Sequence, residues 1–316
     1  MRVALVHNVT AGDREYESDD LAGLLRDAGH EVAEFGKKKR DVARAFATRP
    51  DLLAVAGGDG TVAKAAVALR DSTLPLPLFV LPTGTANNIA RSLGIVGTVP
   101  EIIGALPSAQ PVRLDIGHVS APWGERAFVE AVGVGFMSAL LRGGRTARAR
   151  LERFVRTVGR PLDKQLAGAA RGVARLIRRH APRYHEVHAG DEDLSGEYLA
   201  VEVMNIREIG PRLALAPHAE PGDGLLELVL VRPEQRAELV EYFASLGTSR
   251  EFPPVISRRV SSAEISWPAA DGHVDDEPWP RGRAGADDGG KQRVRVGLQG
   301  AITVLVTPHR STHHSH

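Results

Sequence analysis

The 316-residue chain contains no cysteine. Disulfides, thiolate nucleophiles and cysteine metal sites are therefore excluded, and the chain is compatible with a reducing cytoplasm. Aromatic residues supply 5% of it, too few for the stacking platforms of single-stranded nucleic-acid binding, so nucleic acid is not an expected partner. Charge of one sign is lacking as well. The formal net charge is +1, which excludes a strongly one-signed surface and leaves only local patches to consider. No run approaches the ~20 apolar residues of a membrane span, since "LPLPLFVLP" is short and broken by prolines. The opening "MRVALVHNVTAG" is too brief to read as a signal peptide. The expected location is the cytoplasm, with any membrane contact peripheral at the inner face. What remains, 43% hydrophobic and 25% charged residues, is the composition of a globular protein long enough for two ordinary cores.

The first hundred residues alternate strand and helix signals. "VALVHN", "HEVAEF", "LLAVAG" and "LPLFVLP" read as strands, with helices from Ser18, over 41–48, over 62–69 and over 86–93. Such alternation with short links predicts a parallel, helix-covered sheet whose ligands sit at the carboxyl ends of the strands. From about Val112 the pattern changes to segments with period-two alternation, among them "AFVEAVGVG", "EYLAVEVMNI", "LLELVLV" and "SSAEISW". These predict a mainly antiparallel β-sandwich domain. The expected organisation is an α/β domain over 1–111, a β-rich domain over 112–306 with a helical insertion over 139–180, and a disordered tail over 307–316. The segment 281–291 reads as a mobile loop.

Two glycine-rich turns fall at strand ends. In "LLAVAGGDGTVAKAA", Gly57, Gly58, Gly60 and Thr61 leave a bare backbone beside a helix start, which suits an approaching phosphate. Asp59 is unfavourable beside a polyanion unless Mg²⁺ lies between them or nearby donors hold its side chain. A tight turn whose aspartate caps the next helix fits the same residues. It is neither a Walker loop nor a G-x-G-x-x-G fingerprint. The second turn, "LPTGTANNIARSLGI", places Thr83, Gly84, Thr85 and Asn87 between a strand and a helix.

Together and in this order, the two turns resemble those of the diacylglycerol kinase catalytic-domain family, which includes bacterial lipid kinases and is related to sphingosine and NAD kinases. "HNVTAG" is similar to the family's first-strand segment, retaining Asn8 and Gly12. "DIG", "VGVGF", "VMN", "LAPHAEPGDGLLELVLV" and "VDDEP" look like later segments of it. The resemblance implies an enzyme that uses ATP to phosphorylate a hydroxyl of diacylglycerol or a related lipid. It implies nucleotide binding by Asn8, Gly57, Gly58, Asp59, Gly60, Thr61, Val62, Ala63 and Thr85. It implies Mg²⁺ held by Glu220, Asp223 and the carbonyl of Leu225, and a general base, Asp275, supported by Glu277. Phosphoryl transfer needs mostly positioning and charge neutralisation, plus one carboxylate near the attacking oxygen. Ala63, Asn88 and Asp276 depart from the family pattern. The alternatives are an NAD kinase-like enzyme and a nucleotide-binding regulator that has lost catalysis.

Between Arg142 and Arg183 the chain carries eleven further basic residues, Arg145, Arg148, Arg150, Arg153, Arg156, Arg160, Lys164, Arg171, Arg175, Arg178 and Arg179, against only Glu152 and Asp163. Leu166, Ala169, Ala170, Val173, Leu176 and Ile177 form one helical stripe. A basic amphipathic helix suits an anionic bilayer, where a lipid-modifying enzyme works. A helix packed on the second domain with a solvated arginine face fits the same pattern.

Overall fold

The run "LLAVAG" has no polar side chain to turn toward water, so its strand must be covered on both faces. In the computed structural model, which describes residues 1–8, 18–142, 171–172, 174–210, 212–244, 255–268, 271–280 and 290–307, it forms β3 (Leu52–Gly57), every residue of which is buried. β3 lies between β1 (Arg2–His7) and β4 (Leu78–Pro82), and β2 (Glu31–Gly36) pairs with the far side of β1, all parallel. The helices α1 (Ser18–Asp27), α2 (Lys39–Ala47), α3 (Asp59–Ser72), α4 (Asn88–Ser92) and α5 (Val99–Gly104) complete this part. They bury Leu21 and Leu25, Val42 and Ala45, Val62, Ala66 and Leu69, Ile89, and Ile102. Each large aliphatic side chain fully buried in this way is worth about 1.5–3 kcal/mol.

The chain divides into two units, Met1–Leu114 with Ala301 onward, and Asp115–Gly300. The last strand, which the division at 112–306 puts with the second domain, returns to the first unit from Ala301. Val304 and Leu305 of the last strand pair in parallel with Leu78 and Phe79. The physical reason lies in β4, whose first four residues are all buried. Left as an edge, such a strand would expose an apolar row with unpaired backbone groups. The first unit thus has strand order 2-1-3-4 with a fifth strand from the chain's end, a doubly wound order whose switch point lies between β1 and β3.

The second unit is antiparallel. It contains β5 (Gln110–Ala121, from Asp115), β6 (Gly124–Phe128), β7 (Ala131–Gly135), β8 (Arg183–His185), β9 (Val187–Ala189), β10 (Glu192–Asp193) and β11 (Gly196–Tyr198). β12 (Ala200–Met204), β13 (Glu208–Ile209), β14 (Leu213–Ala214), β15 (Leu226–Val231), β16 (Ile256–Val260) and β17 (Ser262–Pro268) follow. β18 (Gly272–Val274), β19 (Glu277–Trp279) and the first part of β20 (Lys291–Val306) complete it. One sheet has the order β16-β15-β12-β7-β18-β19. Its Val132, Val134, Val201, Leu228 and Val274 share a core with Ile265, Trp267, Val294 and Val296 of β17 and β20. That is the expected sandwich. The sheet's other face is covered by α6 (Phe136–Arg142), by helical residues around Ala174 and Ile177, and by the helix Arg236–Ala244.

Several expectations are refined. The helix Arg236–Ala244 is absent from the sequence reading, although its Leu239 and Val240 are buried. "AFVEAVGVG" is not one strand, because Val129 and Glu130 interrupt it between β6 and β7. "QRVRVGL" and "AITVLV" are one strand, β20. Of the helical insertion over 139–180, residues 139–142 belong to α6, and 171, 172 and 174–179 are helical. Residues 143–170 and 173, with most of the basic run, lie outside the described residues, as do Gly12, positions 281–289 and the tail from 308. Thr307, the first residue assigned to that tail, is buried. Where the basic helix is described, Ala174 and Ile177 are buried in the second unit's core, while Arg171, Arg175, Arg178 and Arg179 are exposed. Of the apolar stripe, Leu176 and Ile177 are described, and both pack into that core.

Candidate active site

The two glycine turns meet backbone to backbone. A Cβ placed on Gly84 would lie 2.3 Å from the Cα of Gly58, and one placed on Gly58 would lie 3.2 Å from the Cα of Gly84. Close approach, not a left-handed conformation, is what requires glycine here, since Gly58 is extended at φ −90° and ψ −178°. Asn87 folds the second turn. It adopts φ 54°, its Nδ2 donates to the Gly84 carbonyl at 2.7 Å, and its Oδ1 accepts from the Gly84 amide at 3.0 Å. Gly57 is confined by Thr61, whose side chain a Cβ would meet at 2.7 Å.

The helix after β3 starts earlier than its apolar period suggests. α3 begins at Asp59, so Asp59, Gly60 and Thr61 form its first turn, with Val62 and Ala63 buried behind them. The carboxylate is held by a donor: Asp59 Oδ1 accepts from the Ile89 amide at 2.9 Å. This bond clamps the first turn of α3 onto the start of α4. Asn8 follows β1, with its Nδ2 donating to Thr61 Oγ1 at 3.1 Å and its Oδ1 accepting from Lys37 Nζ at 2.6 Å. Thr85 is half-buried in the loop that follows β4. A cavity of about 410 Å³, lined by His7, Asn8, Phe35, Lys37 and Lys38 among others, lies at the carboxyl ends of β1 and β2. Burial holds the His7 ring below its ordinary pKa, with Glu34 opposing.

In the second unit, Asp275 occupies a two-residue loop between β18 and β19, where Val274 pairs with Glu277. Its backbone is left-handed, at φ 49°. Asp276, which departs from the family pattern, does not have a left-handed φ; the strained position is 275. The break between β6 and β7 serves this side chain. Oδ1 accepts from the amides of Glu130 at 2.8 Å, Val129 at 3.1 Å and Ala131 at 3.3 Å, and among the described residues Oδ2 has a single long contact, to the Val129 amide at 3.3 Å. Burial pushes the carboxyl up to about 6 against the lowering effect of these amides, with the Asp276 charge adding to the rise. Glu277 directs Oε2 at Arg126, 2.9 Å away.

The predicted metal ligands are differently engaged. Asp223 forms an ion pair with Arg259 through Oδ2 and accepts from the Leu225 amide through Oδ1 at 2.9 Å. The buried Asp115 accepts from the Gly224 amide at 2.8 Å, and Glu220 is exposed. The Arg259 guanidinium thus occupies one oxygen of Asp223, and no group of three His, Cys, Asp or Glu side chains converges among the described residues.

Sequence reasoning missed what supports Asp275. Asn205 is buried, and its Nδ2 donates to the carbonyls of Asp115 at 2.9 Å and Val129 at 3.0 Å. The Asn205 amide donates to the Glu130 carbonyl at 2.9 Å. One side chain thus fixes the loop whose amides hold Asp275. The clue was an asparagine directly after an apolar strand, since buried amides are retained where they satisfy backbone. Asn205→Ala is expected to lower stability by about 2–3 kcal/mol, because two buried carbonyls lose a donor. A urea midpoint unchanged from wild type would contradict this.

The first unit is a doubly wound α/β domain, and the second is an antiparallel sandwich. Residues 2–119 match the diacylglycerol kinase catalytic domain, and residues 148–275 match the YegS C-terminal NAD kinase beta sandwich-like domain. The chain is 30% identical over 257 residues to a Pseudomonas aeruginosa protein named probable lipid kinase YegS-like, covering 77% of this chain and 74% of that one. It is 25% identical over 238 residues to a diacylglycerol kinase of Mycobacterium tuberculosis, covering 74% and 72%. A crystal structure titled as a diacylglycerol kinase of Bacillus anthracis superposes with a TM-score of 0.63, covering 97% of each chain at 17% identity, which speaks for the fold. The chain belongs to the diacylglycerol kinase catalytic-domain family of lipid kinases. Among the described residues no helix is long and apolar enough to cross a membrane.

Proposed function

We propose that this protein transfers the γ-phosphate of Mg-ATP to a hydroxyl of diacylglycerol or a similar lipid. The observation that carries this reading is Asp275, a carboxyl whose Oδ1 is saturated by backbone amides and whose Oδ2 has one long contact among the described residues. A pKa of about 6 leaves it mostly deprotonated at neutral pH yet basic enough to take a proton, which is what a general base requires. The phosphates are assigned to the bare backbone of Gly57, Gly58 and Gly84 and to the first amides of α3, which combine close approach with an anion-favouring helix start. The magnesium of this substrate is assigned to the nucleotide phosphates. The direct test is to incubate the pure protein with labelled ATP, Mg²⁺ and vesicles containing diacylglycerol, beside a reaction with NAD. Label in the lipid supports the proposal. Label in NAD points to the related nucleotide kinase activity, and label in neither points to a regulator.

Peripheral binding to an anionic bilayer belongs to the same proposal, carried by the exposed Arg171, Arg175, Arg178 and Arg179. Attraction through these arginines is electrostatic, so it must weaken as salt rises. Replacing Arg171, Arg175 and Arg178 by Gln is expected to lower partitioning by roughly two decades, at about 1 kcal/mol per charge. Equal sedimentation of both proteins with anionic vesicles would leave the arginine face as solvated surface.

A further inference from the structure

Three adjacent strands of the second unit place one residue each in a single cross-strand row. Glu202 of β12 pairs with Gly133 of β7, and Gly133 pairs with His273 of β18. The central position is bare. A Cβ on Gly133 would lie 2.0 Å from Glu202 Oε2 and 2.5 Å from the Val201 carbonyl. Across that gap His273 Nε2 meets Glu202 Oε2 at 2.8 Å, with both side chains almost wholly buried. A glycine inside a strand marks a place where another group approaches closely, and here the group is a buried acid reaching for a buried base.

The other ring nitrogen settles the protonation. His273 Nδ1 lies 3.0 Å from the Asp275 carbonyl oxygen. A carbonyl has no proton to give, so Nδ1 carries one and donates it. Nε2 then faces a carboxylate, and burial, which alone lowers the ring's pKa, is outweighed by Glu202 and the two hydrogen bonds, which raise it. Asp275 is pinned at both ends of its backbone, since its amide donates to the Ala131 carbonyl at 2.7 Å. A left-handed non-glycine residue persists only where its surroundings over-determine it.

We infer that His273 is a positioning residue for Asp275: its Nδ1 holds the Asp275 carbonyl, so that the carboxylate stays on the amides of residues 129–131, and Glu202 and Gly133 are the frame that holds the ring. The inference rests on the reading of Asp275 as the base only for its effect on turnover. The ring is too buried to touch substrate, so it acts through Asp275 alone.

Two variants separate the hydrogen bond from the ion pair. Glu202→Gln removes the charge but donates to Nε2, which keeps the proton on Nδ1 and the bond to Asp275. His273→Gln can still reach Glu202 and loses that bond. His273→Gln is expected to lower kcat on the order of 10- to 100-fold, the scale of a displaced reacting group, with KM for ATP unchanged. Glu202→Gln is expected to stay within about twofold of wild type by the same reasoning. Hydrogen exchange at the Val129, Glu130 and Ala131 amides should quicken on the order of tenfold in His273→Gln and not in Glu202→Gln, as their acceptor is released. Unchanged exchange in His273→Gln, or equal acceleration in both variants, overturns the inference. If the wild-type protein phosphorylates no lipid, the proposed function fails, and the exchange measurement still decides this one.

Discussion

Asp275→Asn keeps the fold and the nucleotide and loses lipid phosphorylation by on the order of 10²- to 10⁴-fold, the usual contribution of a general base. Asparagine retains an oxygen for the Val129, Glu130 and Ala131 amides, so the loop stays closed and only the proton acceptor is gone. In the wild-type protein the carboxyl titrates at about 6, so kcat is expected to fall as pH drops through 6 and to level off above it. The variant should lack that limb. Asp276→Asn removes the charge that helps raise the Asp275 pKa, so it should move the limb to lower pH with little change in the plateau. Stability carries the opposite sign. A carboxyl raised from its ordinary 3.8 to about 6 favours the protonated native state, and that contribution is lost as pH rises through 6. Asparagine is neutral throughout, so at pH 7 the variant should be more stable by roughly 3 kcal/mol, at 1.36 kcal/mol per pKa unit. An assay with diacylglycerol vesicles across pH 5–8, beside thermal melts, checks both halves. Full activity in Asp275→Asn would end the carboxylate-base mechanism.

What the sequence makes legible is whatever depends on local pattern. Runs such as "LLAVAG" announce buried parallel strands, and glycine turns at their carboxyl ends announce a place where backbone must come close to something. Both turns stand where that pattern puts them. The partner of each glycine is another matter. Gly58 and Gly84 belong to different strand–helix links, and only the pairing of β3 with β4 brings them together. Asp275 stands out through motif resemblance, but its cradle does not, because "AFVEAVGVG" alternates like one strand and nothing local marks the break at Val129 and Glu130. The Glu202–Gly133–His273 row is likewise invisible along the chain, since its members are about 70 residues apart and meet only through register. The return of the last strand escapes for the same reason. β20 reads like its neighbours, and the need for it is written in the uncovered edge of β4.

Gly84→Ala is expected to weaken Mg-ATP binding more than Gly58→Ala, by at least 100-fold against the order of tenfold. These losses correspond to about 2.8 and 1.4 kcal/mol. The added Cβ at 84 would stand 2.3 Å from the Gly58 Cα, 2.9 Å from the Gly58 nitrogen and 2.8 Å from Asn87 Oδ1. Two of these are backbone atoms with no rotamer to escape into, so the β3–α3 and β4–α4 links must separate. That separation pulls on the Asp59 clamp to the Ile89 amide and on the Asn87 bonds that close the second turn. The added Cβ at 58 meets only the Gly84 Cα at 3.2 Å, a contact relieved by a shift of a few tenths of an ångström. Neither glycine has a left-handed φ, so alanine adds no backbone strain of its own, and the ranking tests close approach alone. Calorimetry with Mg-ATP measures the two affinities, and far-ultraviolet dichroism verifies that both variants remain folded. Equal affinities, or a weaker Gly58→Ala than Gly84→Ala, would mean that the phosphates do not lie along the joined backbone of these two turns.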